Sequence, residues 1–227
     1  MPTLPIARRT LLAAALAAWT LPMHAQTQTN NADQALISAA ARGDLPEVQR
    51  LLATGAGVGA RDGRRRTALL AATQGNHVAV AAALIAKGAD VNAQDDIQDS
   101  PFLLAGASGY LEIVRLCLKA GADLKSRNRY GGTALIPACH HGHLETVRVL
   151  LKTAIDINHV NNLGWTALLE AVILGDGGPT HTEIVRELIA HKAQVNLADR
   201  EGVTPLAHAR RRGFREMARL LEAAGGR

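Results

Sequence analysis

From Thr67 onward the apolar and polar positions of this chain recur in a fixed frame. Thr67-Ala68-Leu69, Ser100-Pro101-Phe102, Thr133-Ala134-Leu135, Thr166-Ala167-Leu168 and Thr204-Pro205-Leu206 are near-copies of one phrase. The first four stand 33 residues apart, and the last gap is 38, one period plus five. With the hydroxyl residue as origin, an alanine follows five positions later at Ala72, Ala105, Ala138, Ala171 and Ala209. A turn residue follows nine later at Asn76, Gly109, Gly142, Gly175 and Gly213. An apolar helical stretch comes next, as in Leu111-Glu112-Ile113-Val114-Arg115-Leu116-Cys117-Leu118, and then Gly-Ala-Asp or its relic at Gly88, Gly121 and Ala154. This pattern predicts two short antiparallel helices and an exposed loop per unit. The hydroxyl caps the first helix, with Pro or Ala in its first turn, and Gly or Asn76 ends it at positive φ. Neither helix could bury its apolar stripe alone, so the units must stack.

Five copies in phase make residues 62–227 resemble ankyrin repeats. A sixth, more polar copy precedes them, from Ala35 through Ala39-Ala40-Ala41-Arg42-Gly43-Asp44 to Leu51-Leu52, and is similar to the N-terminal cap of such arrays. The resemblance implies an all-α solenoid of about six helix–turn–helix repeats with β-hairpin or loop fingers. It places the repeats at about 33–61, 62–95, 96–128, 129–161, 162–199 and 200–227. It also implies that fingers and first helices form a concave surface that binds other proteins. Three departures stand out. The histidine usual after Thr-Pro-Leu is replaced by Leu70, Leu103, Ile136, Leu169 and Ala207, so apolar contact is expected where that histidine would bond between repeats. The glycine after the second helix becomes Ala154 and Lys192, each costing about 1 kcal/mol if it keeps a left-handed turn. Five extra residues, Asp176-Gly177-Gly178-Pro179-Thr180, split the helices of the fifth repeat.

The N-terminus follows a different rule. Arg8 and Arg9 precede an apolar run from Leu11 to Leu21, and Met23-His24-Ala25 offers a small residue for cleavage. Residues 1–25 therefore read as an export signal, by the twin-arginine or the general secretory route, with delivery to a bacterial periplasm. Such a run is too short to cross a bilayer, which needs about 20 residues. Residues 26–32 read as a disordered lead-in and 33–227 as the repeat domain. The formal charge is +5. Removing Arg8 and Arg9 with a leader that has no acid lowers it to +3, too little to argue for nucleic acid. Arg64-Arg65-Arg66 and Arg210-Arg211-Arg212 sit several repeats apart and form no single stripe. Cys117 and Cys139 both fall on apolar helix faces, as buried small hydrophobes or, in an oxidising compartment, as a pair.

Chemistry is sparse. Gly-x-Ser-x-Gly, His-Glu-x-x-His and phosphate-loop patterns are absent, so no catalytic residue and no cofactor is implied. Cys139-His140-His141-Gly142-His143 is the one dense set of metal-type side chains. Adjacent histidines on a helix point about 100° apart and are expected to diverge rather than chelate. Glu112, Glu145 and Glu183 recur at the start of second helices, where acids favour the helix dipole. The positions left to specify a partner are those facing the concave side by resemblance: Arg66, Gln74, Asp99, Ser108, Tyr130, His140, His141, Trp165, Glu170 and Arg211. Trp165 reads either as an interface anchor or as packing on the next finger, and Tyr130 is placed to stack with it. The expectation is a monomeric, non-catalytic module that binds another protein. Its partner would be an exported enzyme of the oxidative-stress type or, alternatively, a toxin that it inhibits. A metal or small-ligand carrier using His140 and His141 is the reading from a different class.

Overall fold

The computed structural model describes residues 23–227. The export signal expected upstream of Met23 lies outside the described residues. Twelve helices follow in pairs: α1 (Met23–Arg42) with α2 (Leu45–Ala53), α3 (Ala68–Gln74) with α4 (Val78–Ala86), α5 (Pro101–Ser108) with α6 (Leu111–Lys119), α7 (Leu135–His140) with α8 (Leu144–Leu151), α9 (Ala167–Ile173) with α10 (Pro179–Ala190), and α11 (Pro205–Arg211) with α12 (Arg215–Ala223). Each first helix packs on the next first helix and each second on the next second, so the repeats stack in sequence. Residues 26–32, expected as a disordered lead-in, lie within α1. No helix among the described residues is long and apolar enough to cross a membrane.

The recurring phrase supplies the core. Leu69, Phe102, Leu135, Leu168 and Leu206 are buried, as are all five phase alanines, where a larger side chain would overpack the gap between helices. Cys117 and Cys139 are buried free thiols rather than a disulfide. Burial alone pushes the Cys117 thiol up to about 12.

The hydroxyl cap holds in four copies. Thr67, Ser100, Thr166 and Thr204 accept from the backbone N–H three residues on, at 3.2, 3.2, 3.2 and 3.3 Å. In these copies the N–H four residues on bonds the cap carbonyl. Thr133 differs because the residue four on is Pro137, which has no N–H. Ile136 N–H takes the free Thr133 carbonyl instead, at 3.2 Å. The Thr133 hydroxyl is left buried without a partner.

The fingers are tight turns rather than hairpin strands; an isolated bridge joins Arg61 and Thr67. Asp62, Asp95, Asn128, Asn161 and Asp199 each close a finger in the same way. Each side-chain Oδ1 accepts from the N–H groups two and four residues on. Each backbone N–H donates to the carbonyl four on. The ring demands positive φ one residue before its end. Glycine meets this in three fingers, but Arg65 (φ 59°) and Gln98 (φ 62°) meet it in the other two.

At the phase of the usual histidine, Leu70, Leu103, Ile136 and Leu169 are buried, as expected. Histidines at another phase link repeats: His77 Nε2 to the Ala41 carbonyl at 3.1 Å and His181 Nε2 to the His140 carbonyl at 2.9 Å. The His143 ring, at the same phase, lies against Gly109 of the preceding repeat, where a Cβ would collide with it. His181 occupies this phase once the five extra residues are discounted. Pro179 and Thr180 join α10, which runs 12 residues against 8 or 9 in the other inner second helices. At the far ends of these helices, Lys192 does take a left-handed conformation, at φ 71°. Ala154 does not. Thr153 substitutes for the missing glycine, its hydroxyl donating to the Leu150 carbonyl and accepting from Ile155 N–H.

Candidate functional site

A cleft of about 470 Å³ opens on the concave side between the middle fingers and α5, α7 and α9. Five expected partner-facing residues line it: Asp99, Tyr130, His140, His141 and Glu170. The others lie elsewhere. Arg66 donates to Asp62 at 2.8 Å and to Gln74 at 3.0 Å, a satisfied cluster at the second repeat. Ser108 and Trp165 are half-buried and do not line the cleft; Arg211 is exposed on α11. The ring partner of Tyr130 is the Arg129 guanidinium, 4.9 Å from the ring centroid, and not Trp165.

Glu170 forms the floor. It is 6 % exposed, and its Oε1 accepts from Asn161 Nδ2 at 2.8 Å, tying the finger to α9. Burial raises its carboxyl to about 7 against the opposing pull of the Asn161 bond. His140 Nδ1 lies 3.8 Å from Oε2, beyond hydrogen-bond reach. His140 and His141 do not diverge. Their rings stack with centroids 4.2 Å apart and planes 16° from parallel, and His143 tilts onto His141 at 5.9 Å. Burial first, and the neighbouring imidazoles second, lower the proton affinity of His140 and His143. Among the described residues no group of three or more His, Cys, Asp or Glu side chains is placed to hold a metal ion. Asp99, held up by burial, faces Arg129 at 3.6 Å.

The sequence reading found Tyr130 but missed the rest of the apolar part of this site. Ile97, Tyr130 and Leu163 occupy one finger-tip phase in three successive repeats and are 51 %, 53 % and 47 % exposed. The flanking repeats carry Arg64 and Glu201 at that phase. Leu174, 40 % exposed, extends the apolar rim on the helix side. The signal was available by aligning the copies three positions before the Thr phase.

The family profile described as ankyrin repeats in three copies matches residues 11–95, 102–178 and 160–225. An ankyrin repeat domain from Acinetobacter baumannii AYE is similar in structure, with TM-score 0.82 and 55 % identity, covering 85 % of this chain and 98 % of that one. The ankyrin repeat protein EF0377 is similar at TM-score 0.81 and 39 % identity over 84 % of this chain and 97 % of its own. The ankyrin repeat protein YahD of Escherichia coli K12 is 52 % identical over 56 residues, 25 % of this chain; that match spans 28 % of YahD.

Proposed function

This chain belongs to the ankyrin-repeat family, whose members typically mediate protein–protein contact without catalysis, and we propose that it binds a partner protein through the middle of its concave face. The exposed apolar stripe Ile97–Tyr130–Leu163 supports this most directly. A soluble chain gains nothing by aligning three large apolar groups in water unless something covers them. The stripe sits on rigid finger turns above the cleft. Aromatic and aliphatic anchors around a polar floor are the usual makeup of an interface centre.

The basic pair Arg8-Arg9 and the apolar run after it support export. The partner is then a periplasmic protein, for example an exported oxidative-stress enzyme, and the binding unit is a monomer. Capture from periplasmic extract tests the reading, with Ile97→Ser/Tyr130→Ser/Leu163→Ser as the control. The native chain should retain a discrete protein that rebinds when purified. The triple variant, with unchanged circular dichroism, should not. Equal capture by both would exclude the stripe, and recovery of the full-length precursor in the cytoplasmic fraction would exclude export.

A further inference from the structure

The cleft beneath the stripe has a charge pattern of its own. Of its two carboxylates, Asp99 already has a cation, Arg129, at 3.6 Å. Glu170 does not. Asn161 satisfies Oε1, while Oε2 has no hydrogen bond among the described residues and faces the cleft. That oxygen is not sealed in the interior but stays open to the cleft, so an incoming N–H can reach it and add a charge-assisted bond. Around it lie the stacked imidazoles of His140 and His141, and above them Tyr130, Leu163 and Leu174. Flat rings beside an acidic floor suit a planar cation. A guanidinium stacks on such faces and delivers directed N–H bonds, whereas an ammonium does so poorly.

We propose that this cleft receives an arginine side chain of the partner protein, its guanidinium donating to Glu170 Oε2 and stacking on the His140–His141 pair, with flanking apolar residues of the partner on the finger stripe. The inference rests on the protein-binding reading of this face. Size agrees: about 470 Å³ accommodates one long side chain and its approach. Charge agrees as well, since the basic groups of this face, Arg129 and Arg66, already answer Asp99 and Asp62. The raised carboxyl of Glu170 fits a site that completes its charge only on binding.

Two capped tripeptides test this, acetyl-Leu-Arg-Leu-amide and its citrulline analogue, which keeps the shape and removes the charge. Each is titrated into the protein and followed by the ring proton signals of His140 and His141. The arginine peptide should shift both signals saturably at millimolar concentration and bind about tenfold more tightly than the citrulline peptide. Glu170→Gln should abolish that preference while leaving the circular dichroism spectrum unchanged. Equal binding of the two peptides, a preference that survives Glu170→Gln, or no saturable shift would each overturn the proposal. Partner capture separates it from the broader reading: capture lost in the stripe variant but retained by Glu170→Gln leaves protein binding intact and removes the arginine. Self-association that Glu170→Gln abolishes would seat a second copy's basic finger in the cleft and overturn assignment to a separate partner.

Discussion

Repeats two and three differ from repeats four and five in where they depart from the repeat's own rules. In the earlier pair both caps are satisfied, and the residues four after them are the apolar Ala71 and Leu104. Their irregularities are non-glycine residues at positive φ on the surface, Arg65 and Gln98 in the fingers and Asn76 after the first helix of repeat two. In the later pair the irregularity moves inward. Pro137 and Glu170 stand four after the cap, a hydroxyl is orphaned, a glycine is lost at each second-helix end, and the turn before α10 is lengthened. The cleft is lined by repeats three to five, and the departures at Pro137 and Glu170 both line it. Scaffold rules are broken most where a surface has another task, so the regular repeats identify the fold and the irregular ones point to the site.

The largest test of this contrast compares two histidines. His77 makes one bond, to the Ala41 carbonyl, whereas the more buried His181 bonds both the His140 carbonyl and Asp176. His181→Ala should cost about 2–3 kcal/mol in urea unfolding and His77→Ala about 1 kcal/mol. Equal losses would mean that the later repeats are no more dependent on such bonds than the earlier ones.

Next is pH. The Glu170 carboxyl is raised from 4.5 to about 7. Between those values the native chain keeps a proton that the unfolded chain releases. Stability therefore falls as pH rises from about 4.5 to about 7 and then levels off. Glu170→Gln keeps an acceptor for Asn161 and removes the charge. It should gain about 2 kcal/mol at pH 8 and little at pH 4.5, read from paired melting curves. A gain that is the same at both pH values would show that burial of the charge is not the cause.

Smaller effects test the caps. Pro137→Ala restores an N–H four after Thr133, frees Ile136 N–H for the hydroxyl and should gain about 1 kcal/mol. Thr133→Val should be nearly neutral in the native chain and destabilising in the Pro137→Ala background, a coupling visible in a double-mutant cycle. Last, Lys192→Gly should gain up to about 1 kcal/mol, whereas Ala154→Gly should gain nothing, because Thr153 has already removed the need for a left-handed residue there. Equal gains would contradict the Thr153 cap.

Most of the scaffold was legible because it repeats. The Thr phase gave the helix starts, Asn76 its positive φ, and the alanine phase the core, all from local chemistry repeated in register. Thr133 was misread because its cap depends on a residue four positions later, a competition visible only when both bonds are counted together. The His181 bond was missed because that residue had slipped five positions out of phase. For the site, Glu170, His140, His141, Asp99 and Tyr130 were found by asking which phases vary. Trp165, Ser108 and Arg211 were included on the same ground, yet curvature and neighbouring side chains decide which varying phases share one cleft. The stacking of His140 on His141 went unforeseen because helical geometry spreads Cβ positions, while χ angles bring rings back together.

The histidine-to-carbonyl bond has a consequence for how such arrays can be edited. In the fifth repeat, five residues entered ahead of His181, and the ring still meets the His140 carbonyl at 2.9 Å. Position along the stack is therefore set by an anchor, as a zip is set by its teeth, and not by counting residues from the previous helix. The loop before that anchor can lengthen without changing the register of the repeats downstream. A peptide tag spliced at Gly178 should leave the concave side unchanged, making this turn the natural handle for attaching the chain to a surface with its binding face outward.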